Sequence, residues 1–445
     1  MPIGRLLISM SIPMMISFFI QALYNIVDSM FVARISEDAL TAVSIAFPMQ
    51  QLIAAIGVGT GVGATALVSR YTGQGDVPRA QRTANAAVFL CICYTAVFVL
   101  VGIFAVKPFY TIQTDVAPIV EDGIRYLRII CIVSAGAFFG NVLEKLLVAT
   151  GNSLQSMLSQ AAGAVFNIVF DPLLIFGIGP FPKMGVTGAA VATVAGQIVA
   201  ALTALMFLSR KGKVVRIRAS EIRPSRDALI PIFKIGVPSM ITVGLSSAMS
   251  FGINQILLGF STTATAVFGI WIKLQNFSYM PIYGMNNGTL AIISYNYGAR
   301  RLDRVRSVIS LAMKAAIVLM LVLLAVFESI PGALLSLFNA SENMLTIGIT
   351  ALRIAVVSLP FGAITLIFSS SFQALGRSLF TLILSLCRQV FFIIPIAWLL
   401  SLSGRLGLIW LAIPAAEAGS ALLGALLRRK VYRGFGIRRH DAAAE

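Results

Sequence analysis

The chain has 445 residues, 58% of them hydrophobic and only 11% charged, with a mean hydropathy of +0.91. That balance excludes a soluble globular surface and points to an integral membrane protein. Thirty-four Lys and Arg against 17 Asp and Glu leave a net charge of +17, but the basic residues form short clusters between apolar runs. They do not make the continuous basic face that a nucleic acid needs, so no nucleic-acid partner is expected.

A helix needs about 20 apolar residues to cross the hydrocarbon core. Twelve such spans follow along the chain, over 7–33, 40–68, 85–106, 121–149, 155–177, 185–208, 230–258, 264–294, 309–327, 344–373, 380–403 and 407–429. The opening Met1–Met10 has no small-residue cleavage site after a short apolar core, so the first span is read as retained and not as a signal peptide. With the amino terminus inside, the clusters at Arg70, Arg79 and Arg82, at Arg210–Arg226, at Arg300–Arg306 and in the tail from Arg428 all fall on the cytoplasmic side. The loops with Glu37, Asp38, Asp115 and Glu342 fall outside. An even number of spans then leaves both termini in the cytoplasm.

The longest basic stretch sits mid-chain and divides it into 1–208, a linker 209–229, 230–429 and a tail 430–445. Comparison of the halves supports the division. Pro13 pairs with Pro238; Gly63, Ser69 and Gly73 with Gly288, Ser294 and Gly298; Leu127-Arg128-Ile129 with Leu352-Arg353-Ile354; and Ala149, Gly151 and Ser153 with Ala374, Gly376 and Ser378, all at an offset of 225. The chain is an internal duplication. Six crossings per copy return the chain to its starting side, so the copies are parallel repeats of the kind that flank a transport pathway.

A carboxylate inside a membrane helix costs on the order of 2.5–3.5 kcal/mol, so a retained one calls for a function. In the first span Gln21, Tyr24, Asn25 and Asp28 lie at i, i+3, i+4 and i+7 and form one polar stripe. In the fifth span Gln160, Asn167 and Asp171 share a face, with Pro172 removing the next backbone donor. Thr193 and Gln197 in the sixth add a hydroxyl and an amide. Asp28 and Asp171 are read either as helix–helix glue or, favoured because two acids share one half, as an ion-coupling site that takes H⁺ or Na⁺. Only under Na⁺ coupling would they be metal ligands. The equivalent positions of the second half are Ile253 and Ile396, so the ion site is not duplicated.

The seventh span carries a weak stripe of Thr242, Ser246, Ser250 and Asn254, while Lys273, Arg388 and Glu417 are further charges within spans that either meet substrate or pair internally. The 29 Phe and 16 Met suit lipid contact and a cavity for flat, lipophilic, cationic guests. Cys91, Cys93, Cys131 and Cys387 all sit in apolar runs, and the one histidine, His440, lies in the tail, so neither zinc nor histidine chemistry is expected. A phosphate-binding glycine loop and a Ser/His/Asp set are also missing, which leaves an intramembrane enzyme as a distant alternative.

Several stretches resemble the multidrug and toxic compound extrusion (MATE) family of secondary transporters: Pro13 with Gln21–Asp28, Gly185–Thr193, Gln373–Gly376, and most specifically Met280–Gly288 leading to Ser294–Ala299. The resemblance implies an all-α membrane fold of twelve transmembrane helices in two pseudo-symmetric six-helix lobes arranged as a V. It also implies export of organic compounds against inward H⁺ or Na⁺, with no other cofactor. The DinF-like branch is the better match. It implies coupling residues at Tyr24, Asp28, Asn167, Asp171 and Thr193, beside Asn25. The branch with acids in the seventh and tenth spans fits poorly, because those spans here have none. Substrate-cavity candidates are Gln21, Gln197, Asn254, Asn287 and Glu417. A monomer in a bacterial cytoplasmic membrane is expected, in contact with lipid and small organic substrates. A lipid-linked-sugar or polysaccharide flippase ranks second, since a diphosphate calls for more Arg and Lys inside the spans.

Overall fold

A computed structural model describes residues 1–209, 215–338 and 340–434, and among them it contains no β-strand. The basic residues Arg210, Lys211 and Lys213, and the tail with His440, lie outside the described residues. The first half runs α1 (Ile3–Ala33), α2 (Glu37–Gln74), α3 (Val77–Phe104), a short α4 (Val106–Thr111), α5 (Ala117–Ile132), α6 (Ala135–Ala149), α7 (Ser153–Phe176) and α8 (Val186–Ser209). The second runs α9 (Arg226–Leu258), α10 (Thr262–Gly298), α11 (Leu302–Ser329), a short α12 (Pro331–Ser336), α13 (Glu342–Val356) and α14 (Ser358–Ala374). It closes with α15 (Ser378–Leu386), a π-helical turn Cys387–Phe392, α16 (Ile393–Ser401), α17 (Leu406–Ile409) and α18 (Ala412–Gly434).

Among the described residues nine helical stretches are long and apolar enough to cross a membrane, and the pairs α5–α6 and α13–α14, bent by 45° and 42°, supply two more. The twelfth crossing is α10. At 37 residues it is about 55 Å long, and Lys273, Gln275, Asn276, Asn286 and Asn287 dilute its apolar character. The chain is therefore a multi-pass membrane protein, and with α10 counted its described helices are consistent with the expected twelve crossings. Two of them are bent where straight spans were expected.

Helix ends follow local chemistry. Ser36 caps α2 by accepting from the Ala39 N–H at 3.0 Å, and Ser261 caps α10 through Ala264 in the same way. The face of α1 formed by Ile8, Ile12, Ile16, Phe19, Leu23, Ile26 and Met30 is exposed. At 100° per residue it lies opposite the Gln21–Asp28 stripe, as a helix between lipid and a polar interior requires.

The duplication is visible in three dimensions. The short helices α4 and α12 sit at the 225 offset, as do the two bends. Ser69 Oγ donates to the Ala149 carbonyl at 2.9 Å, and its counterpart Ser294 Oγ donates to the Ala374 carbonyl at 3.4 Å. Gly75 (φ 78°) ends α2 in the left-handed region. The same corner after α10 is made by Arg300 (φ 58°), the one non-glycine with positive φ among the described residues.

The chain forms two compact units that divide inside helices and not at the basic stretch: Ser9–Met240, and Ile241 onward together with Met1–Ile8. Close backbone contact holds the start of α9 in the first unit. A Cβ on Gly63 would lie 2.5 Å from the Ile232 carbonyl oxygen, and one on Gly236 would lie 2.7 Å from that of Gly59. These glycines let α2 and α9 touch. In the second unit the Arg304 guanidinium donates to the Met1 carbonyl at 3.0 Å. The described part of the linker is docked and not merely solvated: Gln81 accepts from the Arg216 N–H at 2.7 Å, and Asn85, fully buried, donates to Glu221 Oε2 at 3.1 Å and accepts from the Arg218 N–H at 3.3 Å.

Candidate functional site

Within the Ser9–Met240 unit, α1, α2, α5, α6, α7 and α8 surround a cavity of about 650 Å³, a size suited to a drug-like molecule. The α1 stripe faces it: Gln21, Tyr24, Asn25 and Asp28 all border the cavity, as do Gln160, Asn167, Thr193 and Gln197. The placement of α7 against α8 follows from two small residues. A Cβ on Gly163 would lie 2.5 Å from the Gly196 carbonyl oxygen, and one on Gly196 would lie 2.8 Å from that of Gly163 and 3.2 Å from Asn167 Cβ. Only glycine at both positions permits this approach. It brings Asn167 to the cavity wall, while Asp171, one turn on, lies behind it and does not itself border the cavity.

Asp171 is fully buried and accepts from Asn167 Nδ2 at 3.3 Å. Asp28 on α1 meets it within side-chain hydrogen-bonding reach, and Tyr24 lies within electrostatic reach of both. Asp28 Oδ1, Asp171 Oδ2 and Asn167 Oδ1 are all buried without a hydrogen-bond partner. Among the described residues, the side-chain donor to these carboxyls is Asn167 Nδ2, which serves the other Asp171 oxygen, Oδ1. Ser17 donates its hydroxyl to Gln160 Oε1 and ties α1 to α7 about two to three helical turns from this cluster.

Other residues that border the cavity were not singled out from sequence. Gln50 donates to the Tyr126 hydroxyl at 2.8 Å, and both border it, as do Asn141 and Glu144. Glu144, followed by Lys145, is a further carboxylate in a transmembrane segment, in addition to Asp28, Asp171 and Glu417. An acid and a base side by side inside an apolar run are themselves the signal that could have found them.

Of the second-half candidates, Asn254 and Asn287 border neither this cavity nor a smaller one in the second unit, whereas Glu417 borders the smaller one. Glu417 is paired with Arg388, Nη1 to Oε1 at 3.0 Å. Lys273 lies 5.7 Å from the centroid of the Phe338 ring. Thr242 Oγ1 reaches Ser385 Oγ at 3.4 Å as helix–helix glue, while Ser246 and Ser250 border the smaller cavity. All four cysteines are free.

A duplicated twelve-crossing helical protein with a polar, carboxylate-bearing cavity inside its first half belongs to the class of membrane carriers. Residues 13–173 and 238–399 match the MatE family model, the starts of the two matches being separated by the repeat offset, and the chain belongs to this family. It is 27% identical over 420 residues to the FAD transporter of Shewanella oneidensis, covering 93% of this chain and 91% of that protein. Against the multidrug export protein MepA of Staphylococcus aureus it is 25% identical over 429 residues, covering 96% and 93%. Among solved structures it is similar to an outward-facing multidrug resistance MATE family transporter of the MOP superfamily, at a TM-score of 0.91 and 26% identity, covering 98% of this chain and 97% of that one. A MOP superfamily transporter from Pyrococcus furiosus, described as having a binding pocket of reversed polarity, matches at a TM-score of 0.90 and 26% identity with the same coverage. Small-molecule cargo and ion coupling are the properties of this family.

Proposed function

We propose that the protein is a multidrug exporter that moves lipophilic organic cations out of a bacterial cell against inward H⁺ or Na⁺, and that Asp28 and Asp171 carry the coupling ion. One observation supports this above all: acids from α1 and α7 meet beside a cavity, and Asp28 Oδ1, Asp171 Oδ2 and Asn167 Oδ1 are each buried without a donor of its own. Two unit charges about 4 Å apart repel by about 4 kcal/mol at an effective dielectric of about 20, so the pair is stable only with a shared proton or an added cation. Asn167, which donates to Asp171, would complete either arrangement with Thr193 from the cavity wall, and Asp28 and Asp171 would be the charged ligands of a Na⁺. A guest cation entering the cavity competes for the same negative charge, which couples the two fluxes.

Glu144 on the wall favours a cationic guest, and among the described residues no Lys or Arg borders the cavity. That disfavours a lipid-linked diphosphate, and equally a dinucleotide such as the one the Shewanella relative is named for. The first-half residues Tyr24, Asp28, Asn167 and Asp171 support placement in the DinF-like branch. The charge asymmetry of the loops supports cytoplasmic termini, and a coupling site complete within one chain supports a monomer.

Proteoliposomes loaded with ethidium test the proposal under an imposed H⁺ or Na⁺ gradient. Gradient-driven ethidium movement is expected with the wild type and is expected to fall to background in Asp28→Asn and Asp171→Asn. Either variant driving transport at the wild-type rate would remove the coupling role.

A further inference from the structure

The second unit has a cavity of its own, about 90 Å³, where α9, α10, the π-helical turn and α18 converge. Its walls combine a neutralised charge pair with orphaned polar atoms. Arg388 donates to Glu417 Oε1 at 3.0 Å, so the pair carries no net charge. Gln389, 2% exposed, leaves both its Nε2 and its Oε1 buried without a hydrogen-bond partner, and Glu417, 6% exposed, leaves Oε2 in the same state. Native interiors rarely leave both ends of an amide unpaired, so such a group points to a partner from outside the fold. The π turn that carries Arg388 and Gln389 is a rare geometry that recurs at functional sites. Trp271 and Tyr279, both almost fully buried, add aromatic walls.

These features fix the chemistry of the guest. A cation would face the Arg388 guanidinium and an anion the Glu417 carboxylate, so the guest is uncharged. Gln389 offers a donor and an acceptor side by side, the complement of a lactam or imide edge. Glu417 Oε2 accepts one further N–H. The aromatic walls favour a flat ring, and the volume admits one ring and not a fused tricycle.

We propose that this pocket is a binding site for an uncharged, single-ring lactam or imide such as a pyrimidinedione, with Gln389 pairing to its edge. The site stands apart from the first-unit acids and does not depend on their role.

Equilibrium binding of tritiated uracil and of 1,3-dimethyluracil to the full-length protein in phosphatidylethanolamine/phosphatidylglycerol nanodiscs tests it, with no ion gradient present. The methyl groups keep the ring and block its N–H donors. Saturable uracil binding is expected, weakened about tenfold or more for the dimethyl compound and by Gln389→Leu. Gln389→Leu should melt at or above the wild-type temperature, which separates lost recognition from lost folding. Absence of saturable uracil binding to the wild type, equal affinity for both compounds, or wild-type binding by Gln389→Leu would each overturn the proposal and leave the pocket as a site for water alone. Because binding is read without a gradient, its failure leaves the coupling reading standing, and uncoupled aspartate variants would leave this site standing.

Discussion

The close approach of α7 and α8 sets the geometry of the acid cluster, and it can be tested with a single methyl group. In Gly163→Ala the new Cβ would lie 2.5 Å from the Gly196 carbonyl oxygen and 2.8 Å from Ala200 Cβ, where ordinary contact begins at 3.4 Å. The helices must part by about 0.9 Å, and overpacking of this kind costs about 1–3 kcal/mol. Alanine returns up to about 1 kcal/mol through its better helix propensity, so the net loss is about 0–3 kcal/mol. Gly244→Ala is the matched control, since a Cβ at Gly244 would meet nothing within 4 Å. It receives the propensity gain alone and should stabilise by up to about 1 kcal/mol. Thermal unfolding of the two variants in detergent should therefore diverge, Gly163→Ala downward and Gly244→Ala upward. The hydrogen bond from Asn167 to Asp171, already 3.3 Å long, lies one turn beyond Gly163, so Gly163→Ala should also reduce coupled transport while Gly244→Ala does not. Equal upward shifts in the two melting temperatures would refute the close packing and the placement of the site that rests on it.

Arg300 holds a left-handed conformation that its repeat partner Gly75 adopts without cost, so Arg300→Gly should stabilise by on the order of 1 kcal/mol in thermal unfolding, and a loss of stability would contradict the strain. Removing one member of the buried Arg388–Glu417 pair, as in Arg388→Met, should cost about 3–5 kcal/mol, whereas Arg388→Met with Glu417→Leu should recover most of it; equal losses in single and double variants would contradict an isolated pair. Asn85→Ala removes both hydrogen bonds from Asn85 to the linker, to Glu221 and to the Arg218 N–H. Amide exchange across 215–221 should then accelerate, and unchanged exchange would show that the docking is not needed. Glu144→Gln should weaken binding of a lipophilic cation about tenfold while sparing a neutral analogue; equal effects on both would remove its role as a counter-ion.

Much of the scaffold was legible because membrane burial writes simple rules into sequence. Apolar length marked the crossings, and the 225 offset foretold features as small as the Ser69 and Ser294 hydrogen bonds. The α1 stripe was legible because a polar face in lipid has one place to go, and the structure puts all four of its residues on a cavity. The pairing of Asp28 with Asp171 was expected from two acids in one half, but the geometry of their approach was not legible, because it depends on how α1 lies against α7 and no local pattern encodes that angle. The bend after Ile132 has no proline to mark it, so apolarity ran straight through it, whereas the bend after Val356 has a local signal in Pro360, which removes the donor that would reach the Val356 carbonyl. The extension of the first compact unit to Met240 was hidden for a related reason: the basic stretch marks a loop, but glycines at 59, 63 and 236 decide which helices pack. Asn254 and Asn287 show the converse, since polarity in a span identifies a candidate and cannot say which cavity, if any, it borders.

The central claim is that Asp28 and Asp171 hold a small cation that a drug displaces. Its most direct test is ion release from purified protein on adding saturating ethidium, followed with a pH indicator in weak buffer and in parallel with a Na⁺-selective electrode. The wild type is predicted to release H⁺ or Na⁺ in stoichiometric amounts, and Asp28→Asn and Asp171→Asn to release none while still folded. Release of the same ion in the same amount from the asparagine variants would contradict the account.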